Sequence, residues 1–464
     1  MPYQTKRLVD VARGLRISRE LTERERWPRE RLERYQQERL DRLVRYAREH
    51  SPFYRERLAD LPETGSVGLR ALPTLDKQTM MERFDDLVTD RQLRRDALLE
   101  HLDGLEHDAL YLGDHRAMAT SGSSATKGLF VYDRRGWAEL LAQLLRFNEM
   151  AGVRPRLPRL RVAAIGGGAS THMTRRAAAT VAVGIHRVLS LSVTMPLERL
   201  VEELNAFQPG YLNAYPSIAL LLAEEQQAGR LRIAPEVVST SSELRTPAAM
   251  DRIAAAFGVQ PFDLYGTTEG LWGSSCESHA GMHLYEDMCI VENVDDDGRP
   301  VPAGERGARL LVTNLFNLVQ PLIRFELPDV MTLDPEPCPC GRTLRRTVAI
   351  DGRADDVLHL PGTEASVEIH PLQFSVVTAD RDVREFQVVQ RGERLLLRVV
   401  LRHGAVAEEA AQRLRGRLTD RLAALGVLNP AVDVETRAQL ERPPGGKLQI
   451  VVADRSPRAG AAAY

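Results

Sequence analysis

Phe262-Asp-Leu-Tyr-Gly-Thr-Thr-Glu-Gly270 joins a short apolar run to a turn of glycine, two hydroxyls and a carboxylate. The run Phe262–Tyr265 predicts a strand, and the residues after it predict the loop beyond its carboxyl end. The same pairing recurs upstream. Val162–Ile165 runs into Gly166–Thr171 (GGGAST), and Pro235–Val238 runs into Ser239–Glu243 (STSSE). A further Gly/Ser/Thr-rich turn, Thr120–Gly128 (TSGSSATKG), precedes the apolar Leu129–Tyr132. Helical stretches lie between these runs at Trp137–Met150, Leu197–Phe207, Ile218–Ala228 and Pro247–Phe257. Strands alternating with helices of about 10–15 residues predict α/β units around a parallel-rich sheet. Ligands of such sheets collect beyond the carboxyl ends of the strands, where these turns fall.

Outward from this centre the texture changes twice. Residues 1–60 are Arg/Glu-rich, with Leu32, Tyr35, Leu40, Leu43, Val44 and Ala47 at helical steps, and predict a helical lead-in whose charged face is solvated. Near residue 350 the polar hexapeptide Asp351-Gly-Arg-Ala-Asp-Asp356 predicts a flexible connection. Strand-like Glu385–Gln390 and Leu395–Arg402 and an amphipathic Glu408–Leu425 follow, a compact α+β module. The expected organisation is a large N-terminal α/β domain over 1–352, a small mobile C-terminal domain over 353–454, and a disordered tail over 455–464.

Composition excludes several classes. The 464 residues hold 62 Lys+Arg and 64 Asp+Glu, a net charge of −2, without the basic excess of a nucleic-acid binder. No apolar run nears the roughly 18 residues of a membrane span, and four cysteines are too few for a disulfide scaffold. A soluble, cytoplasmic protein is the expectation. Of the 62 basic residues only Lys6, Lys77, Lys127 and Lys447 are lysine. Lys6 and Lys77 lie in polar helical contexts and read as chance; Lys127 and Lys447 lie among glycines, where a compact ammonium can meet an anion.

The turns carry chemistry. Hydroxyls, glycines and a lysine in Thr120–Gly128 can surround phosphate oxygens, although the Walker A spacing is absent. Thr268 can contact a phosphate, and Glu269 suits a hard Mg²⁺.

TSGSSATKG, YGTTEG, Ile323-Arg-Phe-Glu-Leu-Pro-Asp329 and Gly352-Arg-Ala-Asp-Asp356 occur in an order and spacing that resemble the adenylate-forming enzymes. That superfamily spans acyl-CoA synthetases, luciferases and peptide-synthetase adenylation domains. With Ala47-Arg-Glu-His-Ser-Pro-Phe-Tyr54 and Cys338-Pro-Cys-Gly-Arg342, the chain is most similar to phenylacetate–CoA ligases. The resemblance implies that Ser121, Gly122, Ser123, Ser124, Thr126 and Lys127 form a phosphate loop. It implies that Ser241, Ser242 and Glu243 flank adenine, and that Tyr265, Gly266 and Thr267 complete the nucleotide site. Thr268 would touch the α-phosphate, Glu269 would hold Mg²⁺, Asp329 would bind the ribose hydroxyls, and Arg353 would approach phosphate or ribose. Asp355 would be the hinge. Gly166, Gly167, Gly168, His172, Tyr215 and Pro216 would border the acyl pocket. Lys447, in Gly445-Gly-Lys-Leu-Gln449, would swing in during adenylation and stabilise developing charge.

The implied reaction is attack of a small, aryl-type carboxylate on the α-phosphate of ATP, release of pyrophosphate, and transfer of the acyl group to coenzyme A. A carrier-protein thiol or an amine is the alternative acceptor, and a homodimer is allowed. A non-catalytic nucleotide- or acyl-binding protein is the rival of another class. Cys276, His283, Cys338 and Cys340 match a structural zinc site, with some relatives carrying similar groupings, while Cys289 and His279 read as a buried thiol and a surface imidazole. Three features depart from the family pattern: Ala125 in the phosphate loop, Leu327-Pro328 before Asp329, and the segment His359–Pro371 after the hinge.

Overall fold

The computed structural model describes residues 1–62, 65–105, 107–120, 128–167, 171–243, 246–362, 366–378, 380–442 and 447–452. The phosphate-loop residues Ser121, Gly122, Ser123, Ser124, Thr126 and Lys127, as well as Gly168 and the 455–464 tail, therefore lie outside the described residues. No helix among the described residues is long and apolar enough to cross a membrane.

Nine strands form the principal sheet, in the order Asp329–Leu333, Arg346–Arg353, Met282–Leu284, Trp272–Ser275, Phe262–Gly266, Val237–Ser241, Tyr211–Ala214, Arg161–Gly166 and Arg187–Ser192. The last five are mutually parallel. The first four join them in antiparallel pairs. Helices Met173–Val181, Leu197–Phe207, Pro216–Gln227 and Pro247–Phe257 make the crossovers. Two of these begin with a proline at the first helical turn, where its missing N–H costs nothing. The Pro247–Phe257 helix ends at Gly258 in the left-handed region, φ 73°. Because the five strands are parallel, their carboxyl ends lie along one edge, and Gly167, Tyr215, Ser242 and the Thr267–Gly270 turn emerge there together.

The N-terminal helices Tyr3–Arg24 and Arg29–His50 are more than a solvated lead-in. Leu32, Leu40, Leu43, Val44 and Ala47 enter the same apolar core as Phe130, Trp137 and Phe325. Buried Arg116 bonds Asp10 at 3.2 Å, and buried Arg146 bonds Asp287 at 3.1 Å with Glu25 at 3.6 Å. Removing one partner of such a pair leaves an uncompensated buried charge, at a cost of about 3–5 kcal/mol.

A separate core gathers Leu358, Phe374, Val388, Leu397, Leu414, Leu418 and Val451 in the smaller C-terminal domain. Its four-stranded sheet runs Ala431–Thr436, Arg394–Leu401, Val383–Arg391 and Val451–Val452, beside the helix Ala407–Ala424. Between the two cores, the Asp351–Asp356 hexapeptide is not the loose connection its composition predicts. Asp351, Gly352 and Arg353 finish the strand Arg346–Arg353, paired with Asp329–Leu333, and Ala354–Asp356 form a single 3-10 turn.

Candidate active site

The Tyr265–Gly270 turn is held by its main chain. The Tyr132 hydroxyl donates to the Thr268 carbonyl and the Asn314 amide donates to the Glu269 carbonyl, each at 2.8 Å. Gly270 sits at φ +106°, and a Cβ there would lie 2.2 Å from the Asn314 amide nitrogen. Only glycine therefore tolerates this turn. These anchors use carbonyl oxygens, while the Glu269 carboxylate accepts from its own backbone N–H.

Asp329 stands directly opposite Arg353 across two antiparallel strands. Asp329 is the main cause of a raised Arg353 pKa, its carboxylate favouring the charged guanidinium. Burial pushes the Tyr265 phenol well up, with Asp329 adding to the push and Arg353 opposing it. Burial also pushes the Glu269 carboxyl up; Arg353 and Lys77 pull it down, and Asp329 works against them. Lys447, contributed by the C-terminal domain, completes the group. Burial and Arg353 push its ammonium pKa down, while Glu243, Asp329 and Glu269 push it up. His172 is also within reach, its imidazole pushed down by burial and then by Lys447. Residues from 172 to 447 thus converge on one electrostatic centre, with three carboxylates, a guanidinium and an ammonium at the carboxyl edge of the sheet.

The remaining sequence candidates fall around it. The Gly167 N–H donates to the Tyr215 hydroxyl at 3.0 Å, and His172 caps the helix Met173–Val181, while Pro216 opens the next. Gly166 ends its strand, and a Cβ on Gly266 would meet the Trp272 ring at 3.1 Å. Thr267 is buried. Ser241 ends its strand, and Ser242 adopts φ +74°. Glu243 turns its carboxylate toward Ser217, Arg442 and Leu448. Asp355 lies in the 3-10 turn after Arg353. The phosphate-loop stem is closed by reciprocal bonds, from Thr120 N–H to the Gly128 carbonyl and from Gly128 N–H to the Thr120 hydroxyl, both 3.0 Å.

Two lysines that read as chance have definite places. A Cβ on Gly128 would lie 3.1 Å from Lys77 Cε, so the Lys77 side chain packs on that stem and also acts on Glu269. Lys6 donates to the Gly113 carbonyl at 2.5 Å and lies 3.6 Å from Asp114. The only sequence signal for Lys77 was the scarcity of lysine itself.

Cys276, His283, Cys338 and Cys340 place one ligand atom each within 4.8 Å of all the others. His283 Nδ1 bonds the Leu344 carbonyl at 2.8 Å, which directs Nε2 toward Cys340 Sγ, 3.3 Å away. This donor set fits a closed tetrahedral zinc. Cys289 stands apart, buried with its thiol pKa pushed up. His279 is half-buried rather than a surface imidazole, its ring 4.8 Å from that of Phe262.

A parallel-rich α/β domain followed by a smaller C-terminal domain has the fold of the adenylate-forming ligases. No family model matches the chain. The phenylacetate–coenzyme A ligase of Thermus thermophilus is 31% identical over 386 residues, covering 80% of this chain and 81% of that protein. The chain belongs to the phenylacetate–coenzyme A ligase family of adenylate-forming enzymes. In fold it is similar to 2-hydroxyisobutyryl-CoA ligase in the postadenylation state with 2-HIB-AMP, at TM-score 0.73 and 23% identity over 93% of this chain and 91% of that one. Against the same ligase with 2-HIB-AMP and CoA in the thioesterification state the TM-score is 0.58, at 23% identity and the same coverage.

Proposed function

We propose that this chain activates a small aryl-type carboxylic acid with ATP and passes the acyl group to coenzyme A. The observation that carries the reading is the delivery of Lys447 by the small domain to Glu269, Asp329 and Arg353 at the carboxyl edge of the sheet. A substrate carboxylate oxygen attacks the α-phosphorus of ATP, the bond to the bridging oxygen breaks, and pyrophosphate leaves. The thiol sulfur of coenzyme A then attacks the acyl carbon, AMP leaves with the electron pair, and the thiol proton passes to solvent. Nothing in this needs a protein nucleophile. The chain positions the reactants and stabilises charge.

Asp329 accepts from the ribose hydroxyls, Arg353 lies opposite it and faces the phosphates, and Thr268 bonds the α-phosphate. Lys447 neutralises charge that grows between carboxylate and phosphorus. Glu269, a half-buried carboxylate acted on by Arg353 and Lys77, fits as a Mg²⁺ ligand; the ion would supply charge neutralisation on the phosphates. The acyl pocket lies against Gly167, His172 and Tyr215. The small domain, beginning near residue 353, turns about Asp355 between the two half-reactions. The Cys276, His283, Cys338 and Cys340 group holds a structural zinc.

The test is ATP–pyrophosphate exchange across a panel of aryl, fatty and amino acids. Exchange with aryl acids supports the reading, and none with any acid supports a binding protein instead. Exchange without thioester would assign the acceptor to an amine or carrier thiol, in keeping with the divergent His359–Pro371 segment.

A further inference from the structure

Glu243 faces two parts of the chain at once. Its Oε2 accepts from the Ser217 N–H at 3.1 Å, at the first turn of the helix Pro216–Gln227, and so caps that helix. Its Oε1 accepts from the Leu448 N–H at 2.8 Å and lies 3.6 Å from Arg442 Nη1. Arg442 in turn reaches Glu385 of the small domain's sheet at 2.5 Å, with the Ser217 hydroxyl 3.3 Å from its Nη1. The Glu243 side chain is only 4% exposed. One guanidinium thus bridges a carboxylate of each domain, and the backbone N–H next to Lys447 is captured by the large one.

We infer that Glu243 is a positioning residue for Lys447, holding Arg442 and the Leu448 backbone to the large domain so that the ammonium is kept at the reacting groups. The inference rests on the adenylating function proposed above and gives Glu243 a duty beyond the adenine. A lysine side chain has four rotatable bonds, and its head is placed only as well as its own Cα. A main-chain bond from the very next residue fixes that Cα. The bond belongs to one domain arrangement alone, because a rotation that withdraws Lys447 also withdraws Leu448 and Arg442. Interactions made in one of two states and not the other shift the balance between them by their own free energy. A second contact set acts on the same helix: Glu224 lies 3.0 Å from Arg402 and 4.0 Å from Arg384 of the small domain. The helix Pro216–Gln227 is thus the seat on which the small domain rests.

The two half-reactions separate this role from a merely structural one. Glu243→Gln keeps the size and one acceptor but removes the charge, and Arg442→Met removes the bridge. Loss of a charge-assisted bond predicts that each variant slows adenylate formation by about tenfold to a hundredfold. The loss should fall on kcat, with any rise in the KM for ATP small beside it, and thioester formation from supplied acyl-adenylate should lose far less than adenylation. Added to Lys447→Ala, Glu243→Gln should cost nothing more, since both act through one ammonium. Equal loss in both half-reactions, a raised KM for ATP at unchanged kcat, or a fully additive double variant each overturns the inference. Hydrogen exchange of the unliganded chain tests it without turnover. Residues 447–452 should be protected in the wild type and lose protection in Glu243→Gln, and equal protection in both refutes the clamp. Wild-type protein lacking exchange activity with every acid would instead refute the proposed function, leaving the hydrogen-exchange result to decide the clamp.

Discussion

Replacing Cys338 with serine should empty a zinc site and unfasten two distant parts of the large domain. A tetrahedral zinc with bonds of about 2.3 Å to sulfur and 2.05 Å to nitrogen sets ligand atoms about 3.8 Å (S to S) and 3.5 Å (S to N) apart. The Cys276 and Cys338 sulfurs are 3.7 Å apart, and Cys340 Sγ is 3.3 Å from His283 Nε2. These two pairs are therefore already at ligand spacing, and all four ligand atoms lie within 4.8 Å of one another. Cys276 and Cys338 are 62 residues apart, and a cross-link closing such a loop restricts the unfolded chain by about 4 kcal/mol in the chain-entropy treatment. The assay is zinc content by mass spectrometry together with urea unfolding of protein made in zinc-replete medium. Wild type should carry one zinc per chain; Cys338→Ser should carry far less and lose about 4 kcal/mol of large-domain stability. Cys289→Ala, outside the cluster, should keep its zinc. Wild type with well under one zinc per chain, or Cys338→Ser with a full complement, refutes the reasoning.

Other perturbations address the reaction centre. Lys447→Ala should slow adenylate formation by about 10²–10³-fold, the usual cost of one preorganised donor, while sparing thioester formation from supplied adenylate; burst and exchange kinetics read the difference. Lys77→Ala should raise the KM for ATP, because its side chain packs on the Gly128 stem of the phosphate loop. It should also shift the acidic limb of the pH profile upward, because Lys77 holds the Glu269 carboxyl down. Glu224 is pushed from 4.5 up to about 6 by burial, against Arg402 and Arg384 and with Glu225 and Glu385 adding to the rise; Arg252 bonds it at 2.7 Å. A carboxyl raised on folding contributes its stability below its unfolded pKa and loses it as pH rises through the folded value. Glu224→Gln should therefore gain about 2 kcal/mol relative to wild type between pH 4.5 and pH 7, measured by unfolding at each pH. A difference that does not vary with pH would refute that assignment.

Local pattern was enough wherever local physics decides. Leu197–Phe207 and Pro247–Phe257 are helices at the bounds their periodicity indicates, because amphipathic spacing and capping are properties of short segments. The recurring Gly/Ser/Thr turns after strands pointed to the carboxyl edge of a parallel sheet for the same reason. What escaped was long-range. The Asp351–Asp356 hexapeptide looks like a linker by composition, yet its first half is strand because Asp329–Leu333 supplies the missing hydrogen bonds. Lys77 looks like any lysine on a polar helix until the tertiary fold lays it on Gly128. Glu243 invited an adenine contact by position in its motif, and its bond to Leu448, 205 residues away, could be seen only with both domains in place. The Cys276, His283, Cys338 and Cys340 spacing was weak in the sequence because its two halves meet only through strands near Met282–Leu284 and the turn before Arg346.

The most direct test of the account is the product formed from ATP, phenylacetate and coenzyme A by the purified chain, read by mass spectrometry. An acyl-CoA thioester with AMP and pyrophosphate in equal amounts is expected, and acyl-adenylate with pyrophosphate but no thioester when coenzyme A is withheld. ATP left intact with phenylacetate and every other aryl acid, or cleaved to ADP and phosphate, would contradict it.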